Sequence, residues 1–161
     1  MELDQLYTTF DVVKIIGIKM ERLQDWIKRG FIKPSSEEKV GRGIKRYFSK
    51  LDLYFIKTFQ GLVENGITRQ EASYIVWDVQ KQPLIINALR SAGQPQDVKK
   101  LRTEPYFIVT EKGWTENNFS RTKLVYKDEL QIRLTENSDS DFVHIVNLSR
   151  IKSQIDAALE E

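Results

Sequence analysis

From residue 7 the apolar positions follow a helical period in short bursts. Thr8 or Thr9 can cap the first, because a hydroxyl there accepts a hydrogen bond from a free amide of the first turn. Phe10, Val13 and Ile15 or Ile16 then recur at helical spacing until Gly17 stops the run. A second helix resumes after Ile18, across a very tight turn, with Leu23 and Ile27 four apart and Gly30 as its stop. Phe31-Ile32-Lys33 and Ile44 to Phe48 are strand-like and flank Pro34 to Gly43, a loop rich in Ser, Glu, Lys and Gly; they predict a hairpin. A third helix starts at Ser49, where Asp52 takes the Glu position of a capping box, and runs to Asn65-Gly66 with Leu51, Phe55, Phe59 and Leu62 or Val63 inward. A fourth starts at Thr68, with Glu71 completing a box and Ala72, Ile75 or Val76, and Val79 as its stripe.

Pro83 interrupts this pattern, and Leu84 to Ala92 reads as one short helix stopped by Gly93-Gln94-Pro95. The period then changes. Tyr106 to Thr110 and Leu124 to Tyr126 are continuous apolar runs, Leu130 to Leu134 alternates strictly, and Phe142 to Leu148 is a fourth strand candidate. Turn-rich pieces at 111–120 and 136–141 separate them, and Ser149 can cap a last helix carrying Ile151, Ile155 and Leu159. The fold class expected is α+β: a mostly α winged helix-turn-helix of four helices and a β-hairpin wing over 1–80, a helical linker over 81–104, and a small sheet-plus-helix domain over 105–161 serving dimerisation or an effector.

Composition narrows the function. At 40% apolar and 30% charged the chain reads as soluble and globular. No apolar run approaches the roughly 18 residues of a membrane span. The acidic start Met1-Glu2-Leu3-Asp4 lacks signal-peptide order, so a cytoplasmic, nucleoid-associated place with no membrane partner is expected. The absence of cysteine removes disulfides, thiolate metal sites and cysteine nucleophiles together. His144 is the single histidine and reads as a structural strand residue. The acidic cluster of 136–141 lacks the ligand alternation of a calcium loop and reads as a solvated turn. No phosphate-cradling loop, nucleophile elbow or metal-spaced cluster is present, so no enzyme, catalytic residue, cofactor or metal is expected.

Positive charge is concentrated rather than spread. Residues 14–57 hold twelve Lys/Arg against five Asp/Glu, although the chain as a whole is only +2. Such a segment is an electrostatic footprint for phosphates. On an ideal helix Lys19, Arg22, Trp26 and Arg29 fall on one side, offset from Leu23 and Ile27. A major groove admits a helix of this kind, with Trp26 either a DNA contact or core. Arg42, Lys45 and Arg46 would project from the hairpin beside Gly41 and Gly43 towards a phosphate backbone. Thr9, Gln24 and Tyr47 complete the candidate DNA-binding set.

The pieces Tyr7-Thr8-Thr9-Phe10-Asp11-Val12-Val13-Lys14-Ile15-Ile16-Gly17-Ile18, then Leu23-Gln24-Asp25-Trp26-Ile27-Lys28-Arg29-Gly30-Phe31-Ile32, then Gly41 through Leu53, and finally Leu62 to Ala72, together resemble the MerR family of bacterial transcription regulators. The resemblance covers roughly residues 5–80. It implies a winged-helix domain that binds double-stranded DNA as a homodimer at a near-palindromic operator, with RNA polymerase at a promoter as a further partner. Two departures stand out. Where many members carry an arginine and two aromatics in the second helix, this chain has Gln24-Asp25-Trp26, and Pro83, Gly93 and Pro95 interrupt the long dimerisation helix that usually follows. A MerR-like protein-interaction adaptor of the chaperone-modulator type and a phage or architectural DNA-binding factor stay open as alternatives. The effector, if there is one, is not legible.

Overall fold

The computed structural model describes residues 5–91, 99–100, 104–111, 121–130 and 143–161. Its elements in chain order are β1 (Tyr7–Thr8), α1 (Thr9–Ile16), α2 (Met20–Lys28), β2 (Ser36–Val40), β3 (Gly43–Phe48), α3 (Lys50–Glu64), α4 (Arg69–Gln80), α5 (Pro83–Arg90), β4 (Tyr106–Glu111), β5 (Arg121–Tyr126), β6 (Val143–Val146) and α6 (Leu148–Glu160). They fall into two compact units: Met1–Ser73 with Gln154–Glu161, and Tyr74–Ser153. The division therefore lies inside α4, earlier than the boundary at 80 read from the sequence, and the last residues belong with the first unit.

In the first unit α1 is started by Thr8, not Thr9. The Asp11 carboxylate accepts from both the amide and the hydroxyl of Thr8 at 2.7 Å, and the Asp11 amide donates back to the hydroxyl at 3.3 Å. Gly17 stops the helix at φ +78°, a left-handed conformation that costs a Cβ-bearing residue more, and its amide donates to Val13 O. Only Lys19 and its two predecessors separate the helices. Val12 and Ile16 face inward, whereas Phe10, expected on the buried stripe, is 78% exposed. The helical phase explains the difference: an inward pair at 12 and 16 turns position 10 outward.

The hairpin differs in register from the expectation. Its strands are Ser36–Val40 and Gly43–Phe48, with Gly41-Arg42 as a two-residue turn, while Tyr7–Thr8 pairs on the far side of β3 in a sheet of order β1-β3-β2. Phe31-Ile32-Lys33 is not a strand; Phe31 instead stacks on Phe59 at 6.0 Å and Ile32 is buried. Gly41 has φ +59°, which a two-residue hairpin turn needs. Helix α3 carries the expected Ser49/Asp52 capping box and buries Leu53, Phe55, Ile56, Phe59 and Leu62. The C-terminal part of α6 joins it, since Asp156 accepts from the Tyr54 hydroxyl at 2.5 Å and pairs with Lys50 at 2.9 Å.

In the second unit the antiparallel sheet has the order β5-β4-β6. Ile108, Val109 and Thr110 are consecutive and all buried, so central β4 is covered on both faces, which is why its sequence does not alternate. His144 lies in β6 opposite Thr110. The last helix is capped by Asn147 rather than Ser149: Asn147 Oδ1 accepts from the Arg150 amide at 3.0 Å, and the Ser149 hydroxyl accepts from the Tyr106 amide at 3.2 Å. Leu130 is helical. The rest of the strand expected to 134, the acidic turn of 136–141 and Gly93-Gln94-Pro95 lie outside the described residues. Among the described residues no helix is long and apolar enough to cross a membrane.

Two outcomes follow from these contacts. The hydrogen bonds from Thr8 hold the Asp11 carboxyl below the usual carboxylate range, so its contribution to stability is complete above about pH 4 and is lost as the pH falls through the depressed value. Thermal melts of Asp11→Asn are expected to show a smaller loss between neutral and strongly acidic pH than those of the wild type, and Thr8→Ala to cost about 1 kcal/mol at neutral pH. In denaturant titration Tyr54→Phe is expected to cost roughly 0.5–1.5 kcal/mol, the value of one hydrogen bond.

Candidate nucleic-acid interface

The orientation of α2 is decided by what it buries. Leu23 and Trp26 are wholly inaccessible and Ile27 is half-buried. The Trp26 ring meets Phe59 of α3 edge-on, with centroids 4.8 Å apart and planes at 76°. Of the two roles the sequence left open for Trp26, contact with DNA or core, the structure gives the ring the core. With the core direction set by 23, 26 and 27, steps of about 100° per residue place Glu21, Asp25 and Lys28 nearest the opposite, outward face, with Gln24 on one flank. All four lie at least partly open to solvent. Arg22 and Arg29, seven apart, lie on one flank, so the stripe of three cations and an indole does not exist as a single surface.

The flanking arginines are engaged. Arg22 lies over the Trp26 ring at 5.3 Å and 3.6 Å from Glu64 of α3. Glu64 also accepts from the Gln60 amide at 3.1 Å, and Gln60 accepts from Lys57 Nζ, which donates in addition to Ile16 O. A chain of polar contacts thus runs from the end of α1 through α3 to Arg22. Arg29 donates through Nε to Asp25 at 2.8 Å, and Arg69, the first residue of α4, approaches the same carboxylate at 3.5 Å. Lys19 is exposed at the start of α2 and Thr9 is the half-buried first residue of α1.

On the hairpin, Arg46 Nε donates to Glu37 directly across the strand pair at 3.0 Å. The Tyr47 hydroxyl donates to Glu38 at 3.2 Å, and that bond holds the phenol above its ordinary pKa, in its neutral form. Lys39, Arg42 and Lys45 are exposed, with no side-chain hydrogen bond or ion pair among the described residues. Of the predicted hairpin cations, then, Arg42 and Lys45 are available and Arg46 is held by its neighbour. The sequence expectation omitted Lys28, Lys39 and Arg69. The spacing of Leu23, Trp26 and Ile27 already carried the signal for Lys28, because an inward triad at i, i+3 and i+4 turns i+5 outward.

No group of three or more His, Asp or Glu among the described residues is placed to hold a metal. The arrangement is a helix-turn-helix whose second helix presents short polar and cationic side chains, accompanied by a basic β-hairpin. Residues 7–76 match the family model described as MerR HTH family regulatory protein. That segment makes up somewhat under half of the chain. No curated protein matches the chain at a significant level.

Because Trp26 fills the space between α2 and α3, Trp26→Ala is expected to lower stability by about 3–5 kcal/mol in denaturant titration. A stability loss below about 1 kcal/mol would contradict its place in the core.

Proposed function

We propose that this protein is a sequence-specific, DNA-binding transcriptional regulator of MerR type that binds a near-palindromic operator as a homodimer. The observation that carries this reading is the exposed surface of α2, where Gln24 and Lys28 stand clear of a core of Leu23 and Trp26, with Lys39, Arg42 and Lys45 exposed on a hairpin of the same unit. Gln24 suits bidentate contact with adenine, while lysine and arginine neutralise phosphates. In this reading α2 enters the major groove, the hairpin acts as the wing on the flanking backbone, and two copies meet half-sites about 34 Å apart. RNA polymerase at a promoter is the further partner.

Equilibrium binding to genomic fragments over a salt series tests the reading, with genome-wide footprinting to supply the operator and its half-site spacing. Affinity is expected to fall linearly with salt on logarithmic axes, and Arg42→Gln and Lys45→Gln are each expected to flatten the slope by about 0.9, the share of one phosphate. Gln24→Ala should relax preference at one base pair and leave the slope unchanged. Absence of salt-dependent retention, together with a protein partner that survives nuclease treatment in a pull-down, would select the adaptor reading instead.

A further inference from the structure

Asp25 departs from the aromatic that many MerR-type helices carry at this position, and the structure shows what it faces. Its two oxygens meet two guanidinium groups from different helices: Arg29 at the end of α2, at 2.8 Å, and Arg69 of α4, at 3.5 Å. Arg69 opens α4, where the helix dipole disfavours a cation, so the carboxylate offsets an unfavourable placement. The side chains are 37%, 58% and 44% exposed for Asp25, Arg29 and Arg69, which leaves the group open to exchange with solvent ions. We propose that Asp25 is a charge brake on the DNA-reading helix: it holds Arg29 and Arg69 in the free protein and yields them to a backbone phosphate only when a duplex seats fully. The inference rests on the DNA-binding reading.

The magnitudes favour such an exchange. An exposed ion pair is worth roughly 0–1 kcal/mol, whereas guanidinium-phosphate contacts are frequently bidentate and charge-assisted. With its carboxylate the triad carries +1; without it, +2. Asp25 therefore lowers the attraction felt by a duplex that has not seated, and so widens the gap between a cognate site and bulk DNA without touching base readout.

The test measures binding of the full chain to a mixed-sequence duplex over a fourfold range of salt. Asp25→Asn keeps the shape of the side chain and removes its charge. Its log-log slope is expected to steepen by about 0.9, so that its advantage over the wild type shrinks about threefold from the lowest to the highest salt. Glu160→Gln removes an equal charge from the end of α6, where Glu160 is exposed and has no ion-pair partner among the described residues, and should leave the slope as in the wild type. In an Arg29→Gln/Arg69→Gln background the effect of Asp25→Asn should vanish, as a double-mutant cycle requires of residues acting as one group. The brake is overturned if wild-type binding is salt-dependent yet Asp25→Asn matches it or Glu160→Gln in slope, or if the effect persists without the two arginines. Wild-type binding that is absent, or indifferent to salt and to Arg42→Gln, overturns the DNA reading itself and the brake with it.

Discussion

The packing of Trp26 on Phe59 is the constraint on which the N-terminal unit depends. It is the point where the second helix of the helix-turn-helix is keyed to α3, and it uses the largest side chain available, buried completely. An aromatic pair in edge-on geometry contributes about 0.5–1.5 kcal/mol beyond the area it buries. The exposure of Gln24 and Lys28, the flank position of Arg22 and Arg29, and the approach of Asp25 to α4 all follow from that one anchoring. A helix of nine residues has little stability of its own in water, so its register is set by packing.

Around this anchor the charges are sorted rather than merely abundant. Arg22, Arg29 and Arg46 each meet an acid of the same unit, while Lys28, Lys39, Arg42 and Lys45 do not. Exposed pairs of this kind add little to stability. Their larger effect is on the electrostatic surface, because they reduce the positive charge available at the flank of α2 and concentrate the rest on its outward face and on the hairpin tip. The twelve cations of residues 14–57 are thus a poor measure of what a phosphate would meet.

Local chemistry was readable where a residue type has one dominant structural use. The Thr68/Glu71 start of α4 and the Ser49/Asp52 box of α3, the stops at Gly17 and Gly30, and the apolar run of β4 all stand where spacing placed them. Readings stayed open or went wrong where the choice lay between two faces or two neighbours. Thr8 and Thr9 are equivalent by composition, and Asn147 and Ser149 both cap helices; only the position of Asp11 in one case and of the Tyr106 amide in the other separates them. Phe31-Ile32 has the composition of a strand but is drawn onto Phe59, leaving the more polar Ser36–Val40 to pair with β3.

By itself the sequence determined that a helix-turn-helix and a basic hairpin are present, because caps, glycines and apolar spacing act over a few residues and carry their physical reason with them. It also determined that cysteine chemistry is absent. Tertiary structure alone decided which side of α2 faces out, since an amphipathic indole satisfies either a core or a surface until Phe59 is placed beside it. It likewise decided which cations are held, because Asp25 and Arg69 are 44 positions apart in the chain and meet only after α4 has folded back beside α2.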